Sequence, residues 1–221
     1  MKICGVVQAK TMEQIFSDIE KLNDLVDLIE IRLDYRKDQL DLAEILRASK
    51  KPLIATNRSY EQGGVTKVSS PDRLRVLVRA SELGYNFIDI ELDCPSLNSV
   101  IKSIKDNGGK VIGSHHDFNK TPSLQKMENL LEQGKQAGAD LVKIIGTANT
   151  DSDNMIYLNF NLRNPGNISF GMGKKGIISR VISPLLGAAF TYASLEDKKS
   201  APGQLSVSSL KKIYSLMGVY D

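Results

Sequence analysis

The chain has 221 residues, 41% of them apolar and 25% charged, with a formal net charge of +3. That length suits one large domain or two small ones, and so slight a positive excess, with no basic block, argues against a nucleic-acid partner and for attraction of a small anion. Cys4 and Cys94 make neither a disulfide framework nor a metal-ligand pattern, no apolar stretch approaches the ~20 residues of a membrane helix, and MKICGVVQAK lacks the apolar core of a signal peptide; a soluble cytoplasmic protein is expected.

Short apolar runs then alternate with segments of helical period. ICGVVQ (3–8) reads as a strand, followed over 11–23 by Ile15, Ile19 and Leu22 on one helix face. LIEIRLD (28–34) precedes a helix over 38–49, and PLIATNRS (52–59) precedes one over 71–83 carrying Leu74, Leu77 and Val78. Ser70-Pro71 reads there as N-cap plus first-turn proline. FIDIELD (87–93) leads to a helix over 96–108, and KVIGSHHDF (110–118) to Thr121-Pro122, the same start signal, before Leu124, Met127, Leu130 and Leu131. LVKIIGTA (141–148), ISFGMG (168–173) and GAAFTYAS (187–194) complete the strands, with helices over 151–163, over 176–184 and after Gln204, the last bearing Val207, Leu210, Ile213, Tyr214 and Met217.

Eight strand–helix units predict a parallel sheet closed into a (β/α)8 TIM barrel, one domain over residues 1–221. A doubly wound open sheet is the alternative. Barrels typically take about 250 residues, so the loops must be compact. The first run starts almost at Met1, so no element is expected before the barrel.

The site of such a barrel lies at the C-terminal ends of its strands, and side chains at i, i+2 and i+4 share a face. In IEIRLD, Glu30, Arg32 and Asp34 fall on one face and Ile29, Ile31 and Leu33 on the other; a parallel strand covered on both sides has no solvated face, so the charges point into the barrel mouth. Arg58 ends the third run, just ahead of Gly63-Gly64, and Asp89, Glu91 and Asp93 align in the fourth. The chain's two histidines are adjacent, so one looks inward: His116, with Ser114 and Ile112, while His115 faces the helices. Lys143 sits inside an apolar run, where burial disfavours the ammonium form and favours an amine able to attack a carbonyl. On neighbouring strands ~4.8 Å apart, His116 and Lys143 can act over one substrate, an iminium acidifying a C–H that the imidazole removes. Gly171, Gly173 and Gly176 spell GxGxxG, with Glu196 twenty residues on, but too little chain follows for a dinucleotide fold. A glycine loop that lets backbone approach a ligand fits better, with Arg180 beside it to pair a carboxylate. SAPGQ (200–204) reads as a lid whose polar ends are Ser200 and Gln204.

Together and in order, EIRLD, NRS with GG, SHHDF-NKTP, VKI, MGKKGIISR, FTYAS and SAPGQ resemble the type I 3-dehydroquinate dehydratases along nearly the whole chain. The resemblance implies dehydration of 3-dehydroquinate to 3-dehydroshikimate in the shikimate pathway, without metal or cofactor, often by a homodimer. It implies that Lys143 forms the Schiff base and His116 moves protons. Arg180 would hold the substrate carboxylate, while Glu30, Arg32 and Arg58, with Ile31 in the same substrate-binding stretch, would surround the ring hydroxyls. Ser200 and Gln204 would close over them. One departure stands out: many members carry a glutamate before the GG pair to orient the histidine, where this chain has Gln62, preceded by Glu61. A class I aldolase-like barrel and a barrel that merely binds small anions are the other readings. The first usually takes phosphorylated substrates, and the second would show no turnover.

Overall fold

The structure, a computed structural model, describes residues 1–8, 10–37, 39–196, 198 and 201–219. Eight parallel strands alternate with eight helices among these residues: β1 (Ile3–Gln8), α1 (Met12–Asn23), β2 (Leu28–Arg32), α2 (Leu42–Ala48), β3 (Leu53–Thr56), α3 (Ser70–Leu83), β4 (Phe87–Glu91), α4 (Leu97–Asp106), β5 (Lys110–Asp117), α5 (Leu124–Ala137), β6 (Leu141–Thr147), α6 (Asp153–Arg163), β7 (Ile168–Met172), α7 (Ile177–Ile182), β8 (Thr191–Ser194) and α8 (Val207–Leu216). This is the expected (β/α)8 barrel, not the open doubly wound sheet. The strands neighbour one another in chain order from β1 to β7, and β8 pairs with β1.

No ladder joins β7 to β8 among the described residues. Side chains bridge that seam instead. Phe170 and Phe190 pack tilted against Tyr192, with centroids 6.2 and 5.4 Å apart, and Thr191 Oγ1 donates to the Arg180 carbonyl of α7 at 2.9 Å.

Alternation along the strands makes two cores. Outward residues such as Ile29, Ile31, Ile88, Ile90 and Ile144 pack on the helices. Inward residues Cys4, Val6, Ile54, Ile112, Ile145 and Phe170 fill the barrel. Its lower end is stoppered by the residues that open the strands: Leu28, Ile168 and Phe190 are buried there, with Phe87 and Leu141 packed against them. Polar residues replace apolar ones only toward the C-terminal ends.

Helix starts differ slightly from the sequence reading. Ser69, not Ser70, caps α3, its side chain accepting from Asp72 N, and Pro71 falls within the first turn. A proline there loses nothing, because first-turn N–H groups lack intrahelical partners. Likewise Ser123 caps α5, while the Thr121 hydroxyl donates to the Thr147 carbonyl at 3.1 Å. Asp41 starts α2 later than expected, accepting from Ala43 N and Glu44 N.

Candidate active site

Lys143 and His116 enter one cavity at the C-terminal mouth, together with Glu30, Arg32, Arg58, Gln62, Arg180 and Gln204. The register pairs Lys143 with Ser114 and His116 with Ile145, so the lysine and the histidine are diagonal neighbours on adjacent inward-facing positions of β6 and β5. His115 takes the opposite face, toward Lys126 of α5.

The lysine is buried but not among apolar groups alone. Its Nζ lies 3.2 Å from Asp89 Oδ2, 3.8 Å from Glu30 Oε1 and 4.2 Å from the centroid of the Tyr192 ring. Within the apolar run of β6, the lysine thus has as partners the inward acidic residues of β2 and β4. Glu30 is fixed in turn by the Thr56 hydroxyl, 2.8 Å from its Oε1.

Behind the lysine runs a buried ionic lattice. Arg58 contacts Asp89 Oδ1 at 2.7 Å, Glu91 Oε1 at 2.9 Å and Ser114 Oγ at 2.6 Å. Arg73, from α3, reaches Glu91 Oε2 at 2.6 Å and the Asn57 carbonyl at 2.8 Å. Burial, the largest influence on Asp89, would raise its pKa. Arg58, Lys143 and the Ser114 hydrogen bond outweigh it and hold the carboxyl at about 2. Burial likewise opposes the charge on Arg58, but Asp89, Glu91 and Glu30 keep its guanidinium more firmly protonated than an ordinary arginine. Arg58 is thus an interior residue, and the lattice satisfies the condition under which buried charges are tolerated, pairing with good hydrogen-bond geometry. Arg73 escaped the sequence reading, although its spacing with Leu77 and Ala80 places it on the apolar face of α3.

His116 stands among cations. Burial first, then Arg58, Lys143, Arg32 and His115, push its imidazole well below the ordinary value, so the ring is neutral near pH 7. Its Nδ1 is buried without a hydrogen-bond partner among the described residues. A neutral ring facing the cavity is able to take a proton.

The Gly63-Gly64 turn brings the preceding residue into this site. Gly63 has φ +88°, and a side chain there would collide with the Phe118 ring, while one on Gly64 would strike the Arg58 carbonyl. The tight turn buries Gln62 and leaves Glu61 exposed. Gln62 Oε1 accepts the main-chain N–H of His116 at 2.9 Å, and its Nε2 donates to Asp93 at 2.9 Å. Asp93 serves this contact and is not part of the inward row of Asp89 and Glu91.

Arg180 closes the opposite wall. It is buried, its guanidinium lies 4.3 Å from the Phe170 ring centroid, and its Nε has no hydrogen-bond partner among the described residues. No carboxylate of the described residues pairs with it, and burial alone lowers its pKa to about 10. A guanidinium in that state is a receptor for an anion. The glycines before it serve packing: a Cβ on Gly176 would collide with the Gly171 carbonyl. The Gly173 N–H donates to the Pro202 carbonyl at 3.0 Å, fastening the 201–204 segment over the cavity.

One expected substrate-binding residue lies elsewhere. Ile31 is outward and fully buried in the sheet–helix core, so its side chain does not reach the cavity. Arg32 lines the mouth but is held by Asp34 through two 2.8 Å bonds, which takes Asp34 out of the site as a free acid. Ser200 lies outside the described residues. Tyr192, Phe170 and Met172 line the cavity without having been expected there. Each stands at an inward position of β7 or β8, and inward parity was the available signal. Among the described residues no cluster of histidine, cysteine and acidic groups could hold a metal ion.

The family model described as Type I 3-dehydroquinase matches residues 3–221. The chain is 34% identical over 218 residues to the 3-dehydroquinate dehydratase of Methanocaldococcus jannaschii, covering 97% of this chain and 98% of that one. It is 34% identical over 216 residues to the 3-dehydroquinate dehydratase of Pyrococcus abyssi, covering 98% of each. Among solved structures it resembles the type I 3-dehydroquinate dehydratase of Clostridium difficile with covalent modified comenic acid, at TM-score 0.87 and 27% identity over 98% of this chain and 91% of that one.

Proposed function

The chain belongs to the type I 3-dehydroquinase family, and from that membership we infer that it is a 3-dehydroquinate dehydratase, a hydro-lyase working through a lysine Schiff base. We propose Lys143 as that lysine. Its Nζ adds to the C3 carbonyl of 3-dehydroquinate, and the carbinolamine loses hydroxide with a proton, as water, to leave an iminium. His116 removes a C2 proton, and the C–H electrons move into the iminium as an enamine. These electrons return to expel the C1 hydroxyl, which takes the proton from His116 and leaves as a second water. Hydrolysis of the conjugated iminium consumes one water and frees 3-dehydroshikimate and the amine, so the sum is one substrate to one product and one water.

The observation that carries this reading is the shared cavity of Lys143 and the neutral His116 on adjacent strands. Arg180, buried and with no carboxylate partner among the described residues, is the proposed carboxylate receptor. Glu30, Arg32 and Arg58 would meet the ring hydroxyls, with Gln204 and Ser200 from the covering segment. Gln62, rather than Glu61, would position the histidine.

A homodimer in a reducing cytoplasm is also proposed. Exposed Met155, Leu162, Ile178 and Leu185 on α6, α7 and the following turn support the first. The free buried thiols Cys4 and Cys94 support the second, and no helix of the described residues is long and apolar enough to cross a membrane.

The test is direct. Protein mixed with 3-dehydroquinate should generate the ultraviolet absorbance of a conjugated enone, and borohydride added with substrate should fix an adduct on Lys143. Lys143→Ala should abolish the adduct and nearly all turnover, whereas His116→Ala should keep a trappable adduct without elimination. An adduct mapped to another residue sinks the assignment.

A further inference from the structure

We propose that the face of the Tyr192 ring stabilises the cationic nitrogen formed when Lys143 condenses with substrate, making Tyr192 part of the catalytic machinery. The inference rests on Lys143 being the Schiff-base nucleophile.

Tyr192 is buried on β8, and Lys143 Nζ stands 4.2 Å from its ring centroid, inside the ~6 Å range of a cation–π contact. The ring cannot easily turn away. Phe170 and Phe190 pack on it at interplanar angles of 58° and 59°. Phe170 also carries Arg180, so two neighbouring rings support the site's amine and its anion receptor.

The hydroxyl does not explain the residue. Tyr192 Oη is buried without a hydrogen-bond partner among the described residues. Burial, with Glu30, Cys4 and Asp89 nearby, pushes its pKa well above the ordinary value, so it stays a neutral phenol. What the residue presents to Lys143 is its π face.

That face matters more after condensation than before. A lysine ammonium has three N–H donors to offer Asp89 and Glu30. An iminium nitrogen bonded to both lysine and substrate keeps one. Its single N–H can serve only one carboxylate, Asp89, the one at hydrogen-bond distance; Glu30 stands 3.8 Å off, and the charge spreads over a planar C=N unit that can lie flat on the ring. A contact that strengthens as the reactive cation forms accelerates the reaction, whereas one equally strong in the resting enzyme does not. Lys143 and Tyr192 are both buried, and cation–π attraction is largest away from bulk solvent.

The experiment replaces Tyr192 by phenylalanine and then by mono-, di- and trifluorinated phenylalanines, which drain the ring's quadrupole at nearly constant shape. Turnover and the fraction of Lys143 trapped by borohydride at fixed substrate are measured for each, with Tyr192→Leu as the non-aromatic limit. Both readouts should fall stepwise with each fluorine, reaching a loss on the order of tenfold for the trifluorinated ring. A flat series with only Y192L impaired would show that the ring merely fills space and overturns the proposal. So would Y192F falling to the level of Y192L, since the hydroxyl would then be the working group. Wild-type protein that yields no adduct on Lys143 overturns the nucleophile assignment itself, an outcome distinct from a flat series on a normally trapped lysine.

Discussion

Gln62 holds His116 by its backbone: the amide oxygen accepts the histidine's main-chain N–H at 2.9 Å, and Asp93 fixes the other end of the amide. The imidazole is thus aimed by the path of β5 rather than by a carboxylate on the ring. Small displacements of a proton-transfer group are costly, about a hundredfold for an ångström. Gln62→Leu should lower kcat by roughly ten- to a hundredfold with a smaller change in KM and an intact borohydride adduct. Glu61→Ala, at an exposed position, should stay within about twofold of wild type. Steady-state kinetics of the two variants decide between the residues, and the reverse order would return the role to Glu61.

The depressed pKa of His116 has a signed consequence. A base must be unprotonated, so the acid limb of kcat/KM should lie well below the ordinary histidine value of 6.5. Arg32 is among the cations responsible, and Arg32→Met should move that limb upward. Stability follows the same sign. Below pH 6.5 an unfolded histidine takes up a proton that the folded one refuses, so this contribution is complete above 6.5 and shrinks as pH falls. The melting temperature of wild type should fall relative to that of His116→Phe as pH is lowered through that range. Asp89, held at about 2 against 3.8, adds a second loss as pH falls through that lower window.

Arg180 separates binding from stability. An unpaired buried guanidinium costs the empty protein free energy that a bound carboxylate returns. Arg180→Met should therefore raise the melting temperature of the free protein while raising KM by a hundredfold or more, on the order of 3 kcal/mol for a lost charge-assisted contact. Substrate should raise the melting temperature of wild type much more than that of the variant. A destabilised free variant would mean that Arg180 is already paired.

The Arg73–Glu91 contact at 2.6 Å makes the opposite case. Breaking a buried pair costs about 3–5 kcal/mol; here Glu91 Oε2 loses its partner while Oε1 keeps Arg58 and the Ser59 N–H. For a chain of this length Arg73→Met should lower the melting temperature by about 6–20 °C. Because Glu91 also fixes Arg58 and the Ser59 N–H, kcat should fall as well. Arg73→Lys should recover part of the stability, since Arg73 Nη1 alone makes the bonds to Glu91 and to the Asn57 carbonyl and an ammonium can donate to both.

What could be read from the sequence followed from period two. Alternation in β2 and β5 turns Glu30 and His116 inward, and the apolar run of β6 marks Lys143 as buried. Arg73 was missed because a helical arginine among polar neighbours reads as solvated, although it shares a face with Leu77 and Ala80. Tyr192 and Phe170 look like ordinary core residues until a cation is placed on each ring. Whether Glu61 or Gln62 faces inward depended on a turn at positive φ, which sequence spacing does not resolve. Ile31 was carried along with its charged neighbours, although alternation had already turned it outward. The caps slip by one or two residues because serines and threonines stand on either side of these prolines, Ser69 and Ser70 before Pro71 and Thr121 and Ser123 around Pro122, and any of them has the chemistry to cap.

The apolar stopper of Leu28, Phe87, Leu141, Ile168 and Phe190 turns the barrel into a cul-de-sac. Traffic to Lys143 has a single direction of approach, past the strip clipped to Gly173. Arriving and departing molecules share one doorway, and both carry the carboxylate that Arg180 would grip. Product would then compete with substrate for the same guanidinium.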